Sequence, residues 1–77
     1  GSITDLDGKP KSLKELQKIV GGYIEFTKIP NGDTMVVNEE GIPKGLPINP
    51  GATLLAKKPI FGDVIVCPQV SFHLISG

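Results

Sequence analysis

The stretch GGYIEFTKIPNGDTMVVNEEG, Gly21 to Gly41, decides how this chain folds. Glycine reaches φ > 0 at no steric cost, so Gly21–Gly22, Gly32 and Gly41 mark bends around two short apolar runs. Tyr23 to Ile29 and Thr34 to Asn38 alternate as half-buried strands do. Asn31–Gly32 between them is a strong hairpin signal, read here as a two-residue type I′ turn. That turn pairs Pro30 with Asp33. Counting back sets Phe26 across from Val37, Thr27 across from Val36 and Glu25 across from Asn38. Phe26, Val37, Met35 and Ile24 then share the core side, while Tyr23, Glu25, Val36 and Asn38 share the other. A slip of one residue would bury Glu25 instead, so the register is a sharp expectation.

Upstream, Ile3 to Leu6 reads as a short strand closed by the turn signal Asp7–Gly8. Pro10 holds Lys9 extended. Ser12 and Glu15 form a capping box, and Leu13, Leu16, Ile19 and Val20 recur at helical spacing. Gly21 stands where a left-handed C-terminal cap belongs. The result is a helix of about two and a half turns, too short to persist unless its apolar stripe packs on a sheet.

Downstream, Glu39–Glu40–Gly41 turns the chain into a passage rich in proline (Pro43, Pro47, Pro50), which reads as loop or edge. Asn49–Pro50 reads as an N-cap and first helical position. A second short helix through Ala56 follows, with Lys57 and Lys58 complementing its dipole and Pro59 ending it. Gly62–Asp63 leads into Val64–Cys67, a continuous apolar run that suits a buried strand. Val70 to Ile75 reads as a last strand. Gly1 and Ser2 read as a cleavage scar left by expression, carrying no fold information. Residues 3–77 then make one small domain.

The 77 residues carry eight lysines, no arginine, and eight acidic residues, so the charges balance. The lysines are scattered, and without arginine there is no bidentate fork for guanine or phosphate; nucleic acid is not an expected partner. No run is long and apolar enough to span a bilayer. The single Cys67 fits a reducing interior, which places the protein in the cytoplasm, and it leaves no internal disulfide. A domain of this size usually needs a staple or a partner subunit, so association with copies of itself is expected.

Little in the chain carries catalytic or metal chemistry. His73 is the lone histidine and reads as a strand residue near the C-terminus; Cys67 reads as a buried small hydrophobe. A structural zinc site needs about four Cys or His ligands, and the chain offers two. Asp5, Asp7 and Gly8 echo a calcium loop without its later ligands. Gly21–Gly22 precedes a strand, the wrong context for a phosphate cradle. No metal, cofactor or catalytic residue is therefore assigned. The carboxylates remain: Glu25 opposite Asn38, with Glu39 and Glu40 at the strand end, make a polar cluster, and Tyr23 on the same face can stack on a flat ligand.

LQKIVGGYIE, VVNEEG, GLPIN and the later GD before an apolar run together resemble the short proteins grouped as domain of unknown function 3846, carried by phages, plasmids and large DNA viruses. The resemblance covers about Leu13 to Val66. Its motif residues fall on Gly21, Gly22, Tyr23, Glu25, Asn38, Glu39, Gly41, Leu46, Pro47, Asn49, Ala52 and Gly62. It implies an accessory protein of a mobile element, without an assigned reaction. Two departures stand out. The apolar strand that usually opens the family is missing before Ile3, and the tail from Pro68 does not follow the pattern. A trimmed or shorter chain would leave a strand edge for another subunit to complete.

The expected fold is α+β: a small, bent, mostly antiparallel sheet or partial barrel, one capped helix packed on it, and a second short helix. The expected function is a non-enzymatic binding module acting through a protein partner or by sequestering a small molecule such as a signalling nucleotide. Its recognition residues are Tyr23, Glu25, Asn38, Glu39 and Asn49. The alternative is a small enzyme using a glutamate as general acid/base.

Overall fold

The computed structural model describes residues 1–6 and 11–68. The Asp7–Gly8 turn, Pro10, the strand expected over Val70–Ile75 and His73 lie outside the described residues. Along the chain run β1 (Ile3–Asp5), α1 (Leu13–Val20), β2 (Ile24–Lys28), β3 (Thr34–Asn38), α2 (Pro50–Ala56) and β4 (Val64–Cys67). The strands form one open sheet in the order β1-β4-β3-β2. β4 runs parallel to β1 and antiparallel to β3, and β3 is antiparallel to β2. The α+β expectation holds, with a mixed sheet that does not close toward a barrel.

α1 forms for the reasons visible in its sequence. The Ser12 hydroxyl accepts the Glu15 N–H at 3.2 Å, and a Glu15 carboxylate oxygen accepts the Ser12 N–H at 3.2 Å, satisfying two otherwise orphan donors. Gly21 ends the helix at φ 83°, and the N–H groups of Gly21 and Gly22 both donate to the Gln17 carbonyl. The helix buries Leu16 and Val20.

The hairpin differs from expectation by one residue. Phe26 pairs with Val36, and Glu25 pairs with Val37 rather than Asn38. The loop has three residues: the Gly32 N–H donates to the Ile29 carbonyl at 2.9 Å, the Ile29 N–H donates to Asp33 O at 3.0 Å, and Gly32 has φ 97°. This is a type I turn closed by a left-handed glycine. Proline gives the reason. A two-residue turn would place Pro30 in a hydrogen-bonded pair with Asp33, where it has no N–H to give. Moving one residue puts Ile29 in that pair and sets Pro30 at the turn position that wants its fixed φ. The shift sends Ile24, Phe26 and Val36 to one face and Glu25, Met35 and Val37 to the other. Glu25 stays exposed even so, because β2 is the last of the described strands on its side of the sheet.

Both faces of the sheet are covered, so β3 and β4 are buried along their whole length. On one face, Leu16 and Val20 of α1 pack with Leu6, Val36, Ile65 and Cys67. On the other, Ala52 and Ala56 of α2 join Met35, Val37, Ile60, Val64 and Val66. Two further expectations change. Lys57 is the C-cap of α2 in a left-handed conformation, φ 57°, and Lys58 reaches away to β2. Ser2 is built into the fold: its N–H donates to Asp63 Oδ1 at 2.8 Å, and its carbonyl accepts from Val64 N at 3.0 Å and Asn49 Nδ2 at 3.1 Å.

Candidate functional site

The five residues expected to recognise a ligand separate into two groups. Asn38 and Asn49 fasten backbone. Asn38 is 6% exposed; its Nδ2 donates to the Val20 carbonyl at 3.1 Å and its Oδ1 accepts the Glu40 N–H at 2.8 Å. It ties the end of α1 to the turn after β3. Gly22 makes room for it, since a Cβ there would stand 3.0 Å from Asn38 Nδ2. Asn49 is 1% exposed and caps α2: its Oδ1 accepts the Ala52 N–H at 3.1 Å, and its Nδ2 donates to the carbonyls of Gly62 at 2.9 Å and Ser2. Buried amides cost free energy unless bonded, and both are bonded through each of their polar atoms.

Tyr23, Glu25 and Glu39 do come together. Tyr23 O accepts the Glu39 N–H at 2.9 Å, and strand alternation puts all three side chains on the face of α2. There a cleft of about 280 Å³ opens between β2, the turn after β3 and the segment that follows α2. Glu25 and Thr27 stand on its β2 side and Glu39 at the strand end. Val37, Ile42, Pro43, Ile60 and Phe61 supply apolar walls. Tyr23, 66% exposed, lies outside the lining. The Lys58 ammonium donates to Thr27 Oγ1 at 2.9 Å, joining the segment after α2 to β2. The Glu25 and Glu39 carboxylates make no hydrogen bond or ion pair among the described residues.

Sequence reasoning missed the wall of this cleft. Lys58 meets Thr27 across 31 residues of chain, and no local pattern announces a contact of that span. The apolar residues Ile42, Pro43 and Phe61 sit in segments that read as loop. Nucleophilic chemistry finds no support at Cys67. It is fully buried, and burial, followed by the nearby Asp33 carboxylate, pushes its thiol above the ordinary value, so the reactive thiolate is scarce near neutral pH. Among the described residues no three His, Cys, Asp or Glu side chains gather as metal ligands. No helix among them is long and apolar enough to cross a membrane.

Fold and site together define a small α+β domain with an acid-rimmed apolar cleft beside β2. The chain belongs to the family described as Domain of unknown function (DUF3846), whose model matches residues 2–71. No curated protein and no solved structure matches the chain.

Proposed function

We propose that this domain is a non-enzymatic binding module whose recognition surface is the cleft under Glu25 and Glu39. One observation carries the reading: both carboxylates stand unengaged beside apolar walls, while the buried asparagine amides are spent on the fold. Such a cleft suits a partner that offers ammonium or amide N–H donors on an apolar body, and a segment of another protein has that chemistry. A signalling nucleotide fits this cleft less well. Its phosphates would face two carboxylates and a single ammonium already shared with Thr27. Tyr23 beside the cleft adds a flat apolar surface.

The same reading includes an accessory role for a phage or other mobile element, in the cytoplasm of the host, as the family resemblance suggests. It also includes self-association. Leu54 of α2 is 79% exposed, and Leu55 and Ile48 are 40% and 50% exposed, an apolar surface that a second copy would shield.

Native mass spectrometry of protein recovered from cells of its host tests the reading, giving both subunit count and bound species. Wild type is expected to carry a partner that the double variant Glu25→Gln, Glu39→Gln loses while its thermal midpoint stays within a few degrees. Equal retention by both proteins would move recognition away from this cleft. A wild type that arrives bare would overturn the module itself.

A further inference from the structure

A second cleft, of about 350 Å³, lies at the opposite chemical extreme. It opens where the end of α1 meets the passage around Leu46 and the turn at Gly62–Asp63. Two lysines belong to its wall, Lys18 from the last turn of α1 and Lys44 from the loop after β3, with Gly1 beside them. Lys18 has no hydrogen bond or ion pair among the described residues. Lys44 pairs with Glu40 at 3.6 Å, a contact between side chains nearly half exposed, and such pairs hold weakly. Asp63 supplies the cleft's one carboxylate, and its Oδ1 already accepts the Ser2 N–H. Ile19, Leu46 and Pro47 give the apolar part of the lining.

The ordinary employment of a lysine at a helix C-terminus is to offset the free carbonyls. Here two of those carbonyls have partners of their own. Gln17 O accepts from two glycine amides and Val20 O from the Asn38 amide. Lys18 makes neither of these bonds, and it stands in the wall of the cleft.

We propose that this cleft binds a phosphate-bearing small molecule, with Lys18 and Lys44 on the phosphate and the ligand's apolar body against Ile19, Leu46 and Pro47. Two point charges match a group that carries between one and two negative charges at neutral pH. The cleft is distinct from the carboxylate-rimmed one, and its occupancy does not depend on the reading given above.

Amide NMR titration in low salt, with inorganic phosphate, adenosine monophosphate and adenosine as probes, tests the site. Phosphate and the monophosphate should shift the amides of Lys18–Gly22, Lys44–Leu46 and Gly62–Asp63, the monophosphate at lower concentration, and adenosine should leave them in place. Lys18→Gln and Lys44→Gln should each weaken the monophosphate by about threefold to fivefold, and added salt should weaken it further. Glu40→Gln releases Lys44 and should tighten binding about twofold. Lys14→Gln removes the same charge outside the cleft and should change nothing. The proposal is overturned if millimolar phosphate and monophosphate leave these amides unmoved. It is equally overturned if Lys14→Gln weakens binding as much as Lys18→Gln, or if adenosine binds as well as its monophosphate. Glu25→Gln with Glu39→Gln should leave this titration intact, which keeps the two sites separable.

Discussion

The two faces of the sheet are covered by helices that hold on by different means. α1 presses volume into the core: Leu16 is wholly buried, with Val20 beside it and Ile19 and Ile24 packed against the cluster. α2 buries Ala52 and Ala56, while Leu54 points its side chain to solvent. α2 is secured by Asn49, which caps the helix and clamps the backbone at Ser2 and Gly62, and by the Thr53 hydroxyl, which accepts the Ile60 N–H at 3.0 Å. Packing dominates the hold on one helix, and bonded polar side chains dominate the hold on the other. The difference fixes where each face is vulnerable, and also where each could be read from sequence.

The sharpest blow to the packed face is Leu16→Ala. Removing three carbons from a fully buried site costs the transfer free energy plus the cavity left behind, about 4 kcal/mol. Chemical denaturation should show the midpoint falling with the slope unchanged. A loss below about 1 kcal/mol would mean that α1 is not the element that seals this face.

On the other face the corresponding strike is Asn49→Ala. It removes a cap, about 1 kcal/mol, and strips the Gly62 carbonyl of its Asn49 partner, about 1–3 kcal/mol more for a buried acceptor. The Ser2 carbonyl keeps the Val64 N–H. A total of about 3 kcal/mol is expected. Asn49→Ser, which retains a capping oxygen and gives up the clamp, should recover only the capping part. Full recovery by serine would erase the distinction drawn between the two helices.

That distinction also explains what the sequence disclosed. α1 was legible because its determinants are local: Ser12 with Glu15, a stripe at helical spacing, Gly21 at the cap. α2 was legible as a helix for the same reason, through Asn49–Pro50. The clamp was not, since Asn49 meets Ser2 and Gly62 across 47 and 13 residues. Nothing in a one-dimensional pattern tells a clamping asparagine from a ligand-binding one, and Asn38 and Asn49 look alike in the sequence. The hairpin register was a different failure. The information is present in Pro30, whose missing N–H forbids the two-residue turn that Asn31–Gly32 favours. At the cleft Glu25, Asn38 and Glu39 all belong to the lining, but Asn38 pairs with Ile24 across the strands and Glu25 with Val37.

Alkaline pH separates the faces by other means, because Cys67 belongs to the α1 face. Its thiol is raised above the ordinary value by burial and then by Asp33. Below that ordinary value the thiol is protonated in folded and unfolded chains alike, and its contribution is fully present. As pH climbs past it the unfolded thiol ionises first, so stability falls until the folded pKa is reached, at most about 1.4 kcal/mol per pH unit. Stability measured against pH should therefore decline more steeply in wild type than in Cys67→Val. Parallel curves would show that the thiol ionises as readily inside the fold as outside it.

The smallest effect compares the two helix ends directly. Both close in the left-handed region, α1 at Gly21 with φ 83° and α2 at Lys57 with φ 57°. A side chain there costs about 1–2 kcal/mol, glycine does not, and glycine's extra freedom in the unfolded chain takes back part of the advantage. Lys57→Gly should therefore raise stability by about 0.5 kcal/mol, and Gly21→Ala should lower it by about 1 kcal/mol. A Cβ on Gly21 would meet no atom of the rest of the fold within 4 Å, so the second number carries only the local backbone cost. If both changes come out neutral, the left-handed caps are not under strain, and the clamp and the packed leucine carry the contrast between the helices alone. If Lys57→Gly is instead destabilising, the lysine side chain holds a contact that offsets its backbone, and the end of α2 is fastened by more than Asn49 and Thr53.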